Sequence, residues 1–225
     1  MRIEISFCYN IVMQVKINID GGSRGNPGPG ASAYVICDMQ GKILSQEGYF
    51  MAHCTNNQAE YTALKLALIK CGELGATELF IEGDSLLLVK QFTGEYKIKN
   101  ADLQSRMAVI RRLAQNFTIH IKHVLREFNQ APDALANKAM DLKESVGFNP
   151  IKYLPADNEI LATPTNANIV NGVEVTPVVR VEQVKPAHKS VKPAKTSVKQ
   201  AQKSTKKPTK KSTQKVPHQP SLFDW

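Results

Sequence analysis

The stretch Ile17–Ala31, INIDGGSRGNPGPGA, constrains what this chain can fold into more than any other. Val15, Ile17 and Ile19 alternate with Lys16, Asn18 and Asp20, which predicts a half-buried strand because successive side chains of a strand point to opposite faces. The strand runs into one carboxylate, Asp20, and then into Gly21, Gly22, Gly25, Gly28 and Gly30, interleaved with Pro27 and Pro29. Glycine accepts positive φ and lets a second backbone approach closely. The segment therefore predicts a tight turn, starting at Gly21, that presents open backbone beside an acid.

The rest of the first 140 residues supplies partners for that strand. Ala31–Cys37 and Lys42–Phe50 predict two more strands, joined by Asp38-Met39-Gln40-Gly41 into an antiparallel meander. Thr55 and Gln58 have capping-box spacing, a hydroxyl followed three residues later by an amide, and open a helix to Leu74 that Gly75 ends. Glu78–Glu82 predicts a short strand, followed by Gly83-Asp84-Ser85 and a helix through Leu86–Val89. A further helix over Asn100–Gln115 and a strand over Thr118–Leu125 come next. Pro132 marks the first residue of a last helix, with Asp133 just after it. The order β-β-β-α-β-α-α-β-α predicts an α/β fold, a mixed sheet with helices on its faces.

Four acids stand at the ends of these elements: Asp20, Glu60, Asp84 and Asp133. Each has an ordinary structural role open to it, Glu60 at a helix dipole and Asp84 as a turn or cap acid. If the fold gathers them, their repulsion calls for cations. Hard divalent ions with oxygen ligands are the natural answer, and Mg²⁺ suits phosphate chemistry. Two such ions about 4 Å apart could activate a water and stabilise the leaving oxygen of a phosphodiester.

DGGSRGNPGPGA, TNNQAEY, GDS and PDALANKA, in this order, resemble the four motifs of the type 1 ribonuclease H family, over nearly the whole stretch from Met13 to Met140. The resemblance implies the ribonuclease H-like fold, a five-stranded sheet of order 3-2-1-4-5 flanked by helices. It implies endonucleolytic cleavage of the RNA strand of an RNA/DNA hybrid with two Mg²⁺ ions, Mn²⁺ being able to substitute, leaving 3′-hydroxyl and 5′-phosphate ends. Asp20, Glu60, Asp84 and Asp133 match the family's metal-binding catalytic acids. Asp20 would bridge both ions, Glu60 would face the leaving-group side, and Asp133 would hold the ion that activates water. Gly21, Gly22, Ser23 and Asn26 match the loop along the RNA strand, and Thr55, Asn56 and Asn57 match contacts to phosphate and the shallow groove. This suits a substrate read through groove shape, 2′-hydroxyls and phosphates rather than base edges. A non-catalytic nucleic-acid-binding module of the same fold is the alternative. Clustered negative charge beside phosphates argues against it.

The sequence departs from the best-known bacterial members in two places. GEYKIKN passes almost directly from Phe92 to Asn100, with no room for a long basic handle, so Lys97, Lys99 and Asn100 become the phosphate-contact candidates there, with solvated lysines the ordinary alternative. The histidine-bearing loop before the last aspartate is also missing. Arg126, seven residues before Asp133, stands in its place as a candidate for product release or phosphate binding. The chain resembles the compact, handle-less branch.

Charge divides the chain. Residues 1–150 carry 16 basic and 15 acidic side chains, and residues 151–225 carry 13 and 5. Eight of the twelve prolines also lie beyond residue 150. The divisions expected are an extension over 1–12 with Met13 a second candidate start, the ribonuclease H domain over 13–143, and a linker of uncertain order over 144–183. Within that linker, Ile169–Val175 carries a hairpin signal around Asn171-Gly172. A basic low-complexity tail over 184–218 is too poor in apolar residues to fold and suits polyanions. The last seven residues, 219–225, hold QPSLF, which resembles the bacterial sliding-clamp-binding pentapeptide, with Gln219, Leu222, Phe223 and Trp225 as the docking side chains. Cys8, Cys37, Cys54 and Cys71 show no metal-ligand spacing and suit a reducing compartment. With no apolar run long enough to span a bilayer, the expectation is a cytoplasmic monomer.

Overall fold

The computed structural model describes residues 12–162 and the short strands at 169–170, 173–174 and 179–181. β1 (Gln14–Ser23), β2 (Gly28–Cys37) and β3 (Ile43–Cys54) form the antiparallel meander. β4 (Glu78–Gly83) joins β1 in parallel, and β5 (Thr118–His123) joins β4 in parallel. These five strands take the order 3-2-1-4-5 that the resemblance implies. The sheet is wider than five, however. β6 (Val146–Phe148) pairs antiparallel with β3 and β9 (Val179–Val181) pairs parallel with β5, making seven strands in all. Both additions are short edge strands contributed by distant chain, so no local periodicity announces them.

β1 corrects the reading of the glycine stretch. It does not end at Asp20: Gly21, Gly22 and Ser23 continue as strand, and β2 already begins at Gly28. The turn is confined to residues 24–27, closed by a hydrogen bond from Arg24 N to Pro29 O of 2.7 Å. Of the five glycines between 21 and 30, Gly25 alone takes positive φ, at 89°. Gly21, Gly28 and Gly30 serve close approach instead.

The helices form by the chemistry their ends carry. In α1 (Asn56–Leu74) the Thr55 hydroxyl accepts from Gln58 N and the Gln58 side chain accepts from Thr55 N, the predicted capping box. Gly75 closes the helix in the left-handed region at φ 72°. α2 (Leu86–Phe92) is capped by Ser85, not by Asp84, and α3 (Ala101–Ala114) by Asn100. α4 (Gln130–Leu142) starts two residues before the predicted point. Pro132 thus stands third in the helix, still within the first turn, where its missing N–H has no intrahelical partner to lose. β5 stops at His123, short of the predicted Leu125, and a single 3-10 turn at Arg126–Phe128 links it to α4.

Alternation along β1 divides the core. Val15, Ile17 and Ile19 face α1 and α3 in the main apolar cluster, together with Tyr34, Leu64, Leu68, Ile81, Met107 and Ile121. Asn18 and Asp20 face the other side. There α4 packs Ala136, Ala139 and Met140 on Ala31 and Ala33 of β2. Cys54 and Cys71 are buried and Cys37 half-buried, all three as free thiols.

Residues 144–162 are built onto this body. Lys70 of α1, only 1% exposed, donates to Glu73 Oε2 (2.9 Å), Pro150 O (3.0 Å) and Asn149 Oδ1 (3.3 Å). Glu47 Oε2 accepts from Ile151 N (3.3 Å) and from the Tyr34 hydroxyl (3.1 Å). Beyond them α5 (Asp157–Ala162) inserts Ile160 between Ile69 and Val109. Lys70→Met keeps the buried stem but removes three donated bonds. It is expected to lower stability by about 1–2 kcal/mol, read as a lower urea midpoint at unchanged slope.

β7 (Ile169–Val170) and β8 (Val173–Glu174) pair antiparallel where the hairpin signal lies. The 184–218 tail, the peptide with Gln219, Leu222, Phe223 and Trp225, and residues 1–11 with Cys8 lie outside the described residues.

Candidate active site

All four acids reach one cleft of about 350 Å³ at the carboxyl end of β1 and β4, lined also by Gly21, Gly22 and Arg126. β1 and β4 run parallel, in register up to Ile19 opposite Gly83. Asp20 and Asp84 are therefore the next residues along neighbouring strands. Glu60 comes from the second turn of α1 and Asp133 from the first turn of α4, so the two faces of the sheet each supply one acid.

Gly21 lets Glu60 arrive. A Cβ on Gly21 would sit 2.4 Å from Ala59 C and Glu60 N, both backbone atoms of α1. The Ser32 hydroxyl of β2 donates to Ala59 O at 2.6 Å and holds the same turn from beside it. Asn26, at the tip of the β1–β2 turn, accepts from Asn56 N at 3.1 Å. The turn is thus tied to the start of α1.

Burial raises the Asp20 carboxyl most, and Asp84 and then Asp133 add repulsion, together pushing its pKa up to about 7. Burial also raises Glu60, with Asp84 adding to the shift, against hydrogen bonds from Ser85 and Asn56 that lower it. Each remaining carboxylate is held by protein donors. Glu60 accepts from Asn56 Nδ2 (3.0 Å) and from the Ser85 hydroxyl in a short contact. Asp84 Oδ1 accepts from Asn129 Nδ2 (3.4 Å). Asp133 accepts from Arg126 at 2.6 Å and from Asn137 Nδ2 at 3.2 Å.

Among the described residues no three acidic or imidazole side chains are closed into a metal-ligand cluster. The donor chemistry nevertheless fits hard divalent cations, since four oxygen-bearing anions share one cleft, where repulsion from Asp84 and Asp133 adds to burial in raising Asp20.

The other expected contact residues are placed unevenly. Gly22 lines the cleft, and Asn56 does so while also orienting Glu60. Ser23 borders the cleft too, but its hydroxyl is buried without a partner. Thr55 spends its hydroxyl on the helix cap, and Asn57 follows on the first turn of α1. Asn100 is the cap of α3, accepting from Leu103 N at 3.0 Å, away from the four acids in sequence and in cleft lining. Arg126 is 76% exposed at its side chain and lies over Asp133. His120 bonds to Glu78 and stacks on Phe80, a structural role. Ser85, Asn129 and Asn137 were not singled out in the sequence. Ser85 carried a usable signal, since a hydroxyl directly after a strand-end acid can cap a helix and also reach a neighbouring carboxylate.

A sheet of order 3-2-1-4-5, with acids from β1, α1, the end of β4 and α4 meeting at one edge, defines the ribonuclease H-like class. The family model described as "Reverse transcriptase-like" matches residues 18–139. Ribonuclease HI of Halobacterium salinarum is 40% identical over 129 residues, 57% of this chain and 65% of that protein. The crystal structure of RNase H1 from the same archaeon superposes with a TM-score of 0.56, covering 98% of the solved chain. A bifunctional protein of Mycobacterium tuberculosis is 41% identical over 131 residues, which is 36% of its length. The chain LC11-RNase H1, solved in complex with an RNA/DNA hybrid, is 35% identical with a TM-score of 0.55, covering 57% of this chain and 98% of that one. This chain belongs to the type 1 ribonuclease H family. It spans less than two thirds of the length of either curated relative.

Proposed function

We propose that this protein is an endoribonuclease that hydrolyses the RNA strand of RNA/DNA hybrids and leaves 3′-hydroxyl and 5′-phosphate ends. The convergence of Asp20, Glu60, Asp84 and Asp133 in one cleft beside open glycine backbone carries this reading. Two Mg²⁺ ions, or Mn²⁺ in their place, would be held by these carboxylates and supply charge neutralisation at the phosphate and an activated water. The chain's own residues do the positioning. Asp20 stands on β1, between β2 and β4 in the middle of the sheet. Ser85 and Asn56 fix both oxygens of Glu60. Gly22 leaves room for a sugar–phosphate strand to lie along β1, while Gly21 lets the backbone of α1 come close beside it. Arg126, exposed and bonded to Asp133, is placed to exchange that carboxylate for a substrate phosphate. A labelled RNA/DNA hybrid should be cut in its RNA strand when Mg²⁺ or Mn²⁺ is added and remain intact in chelator. Absence of cleavage with either ion would refute the activity.

The terminal peptide is read as a docking segment for a DNA sliding clamp, tethered by the basic tail. Deleting residues 219–225 is expected to abolish binding to a purified clamp and leave hydrolysis of free hybrids unchanged. Undiminished clamp binding by the truncated chain would sink the idea.

A further inference from the structure

We infer that Asn129 is a positioning residue that sets Asp20, Asp84 and Asp133 relative to one another, with Asn18 orienting its amide. The inference rests on reading the four acids as the hydrolytic centre.

Asn129 stands at the N-cap of α4, 1% exposed, with φ −119° and ψ 28°. Asparagine at that position ordinarily accepts a hydrogen bond from its own helix. This one does not. Its side chain leaves the helix and crosses to two other elements instead. Nδ2 donates to Ile19 O at 2.8 Å and to Asp84 Oδ1 at 3.4 Å. The first partner is the carbonyl of the peptide unit that leads into Asp20. The second is the acid at the end of β4. Its backbone carbonyl accepts from Asp133 N at 3.4 Å, within the turn that carries the third acid. One buried residue thus touches the elements of three of the four acids.

Donor capacity leaves no slack in this arrangement. A primary amide has two N–H donors, and both are committed. Oδ1 accepts from Asn18 Nδ2 at 3.2 Å. A flipped amide would set Oδ1 against Ile19 O and Asp84 Oδ1, and Nδ2 against the Asn18 donor. The network therefore defines one orientation. Asn18 lies on the same face of β1 as Asp20 and is anchored in turn by Glu82 Oε2 at 3.4 Å, and Glu82 is paired with Lys122 at 2.9 Å. Forgoing a helix cap to brace three elements is a local rule broken where function is concentrated.

The test uses the full chain. Asn129→Ala and Asn18→Ala are compared with wild type in three measurements: melting, Mn²⁺ binding by calorimetry without substrate, and steady-state hydrolysis of a labelled hybrid well below the melting temperature. Outer-shell partners of metal ligands typically matter by about 10–100-fold in affinity or rate. Asn129→Ala is expected to lose that much in kcat and in Mn²⁺ affinity, with KM within about twofold. Asn129→Asp, isosteric but lacking the donors, should lose at least as much. Asn18→Ala should lose less, and the double variant should be no worse than Asn129→Ala alone. A structural role alone would lower melting and leave kcat and Mn²⁺ affinity of the folded protein intact, and that result would overturn the inference. Additive losses in the double variant would remove Asn18 from it. If Asn129→Ala does not fold, Asn18→Ala carries the test through the same kcat and Mn²⁺ measurements. If wild type cuts no hybrid, the reading of the site fails, and the Mn²⁺ affinities still decide the placement of Asn129.

Discussion

Asp20→Asn should abolish hydrolysis of RNA/DNA hybrids and at the same time make the metal-free protein more stable. The two effects have one cause. Asp20 is an anion held where burial and two neighbouring carboxylates oppose its charge, so its pKa rises from 3.8 to about 7. A folded-state pKa above the unfolded value means that the folded protein binds the proton more tightly. Stability contributed by protonated Asp20 is therefore fully present below about pH 4 and is lost as pH rises to about 7. At neutral pH the ionised group destabilises the metal-free fold. Asparagine keeps the shape and removes the charge, which should return about 1–3 kcal/mol, or roughly 3–10 °C in melting temperature for a domain of this size. Mg²⁺ or Mn²⁺ should stabilise wild type at neutral pH and have a much smaller effect on Asp20→Asn. The checks are melting scans at pH 4 and pH 7.5, with chelator and with cation. An Asp20→Asn variant that melts below wild type in chelator at pH 7.5 would mean that the acids do not repel one another in the folded protein. Retained hydrolysis would remove Asp20 from the mechanism.

What the sequence disclosed and what it withheld follow a physical division. Signals written within a few residues were legible. The Thr55/Gln58 box, Gly75 at positive φ and the meander of β1–β3 depend on local geometry, and each is found where the pattern puts it. The four acids were legible as separate strand-end and helix-start residues, and their meeting follows from the parallel register of β1 and β4. Contacts that depend on distant chain were not legible. Lys70 sits at helical spacing among apolar residues, and only the return of residues 149–150 explains how it is buried. Asn129 looks like an ordinary cap, and only the approach of Ile19 and Asp84 from other elements turns its side chain away. The widening of the sheet by β6 and β9 is of the same kind. The glycine stretch was misread in part because a run of glycines signals permissive φ and close approach equally well. The structure separates them: Gly25 turns, while Gly21 and Gly30 make room.

Gly21→Ala should therefore be among the most damaging single-methyl changes in the chain. The added Cβ would lie 2.4 Å from Ala59 C and Glu60 N and 2.6 Å from Ala59 O. None of these is a flexible side-chain end, so relief requires α1 to move. The helix is restrained in that direction by the Ser32 bond to Ala59 O and by Asn26 bonded to Asn56 N. Moving it breaks those bonds and carries Glu60 away from Asp20. Overpacking of this kind costs about 1–3 kcal/mol, and the strained hydrogen bonds add to it. Displacement of a catalytic group by about 1 Å costs on the order of 100-fold in rate. Gly22→Ala is the control one residue along, because its nearest neighbour would be Asn56 Oδ1 at 3.7 Å, an ordinary contact. It should leave folding nearly unchanged and alter hydrolysis mainly through KM, since Gly22 lines the cleft and an added Cβ there would meet no backbone of α1. Melting and steady-state hydrolysis of the two variants side by side decide the matter. A Gly21→Ala protein with the kcat of wild type would show that Glu60 does not depend on this approach of strand to helix, and the role assigned to the glycine would fall with it.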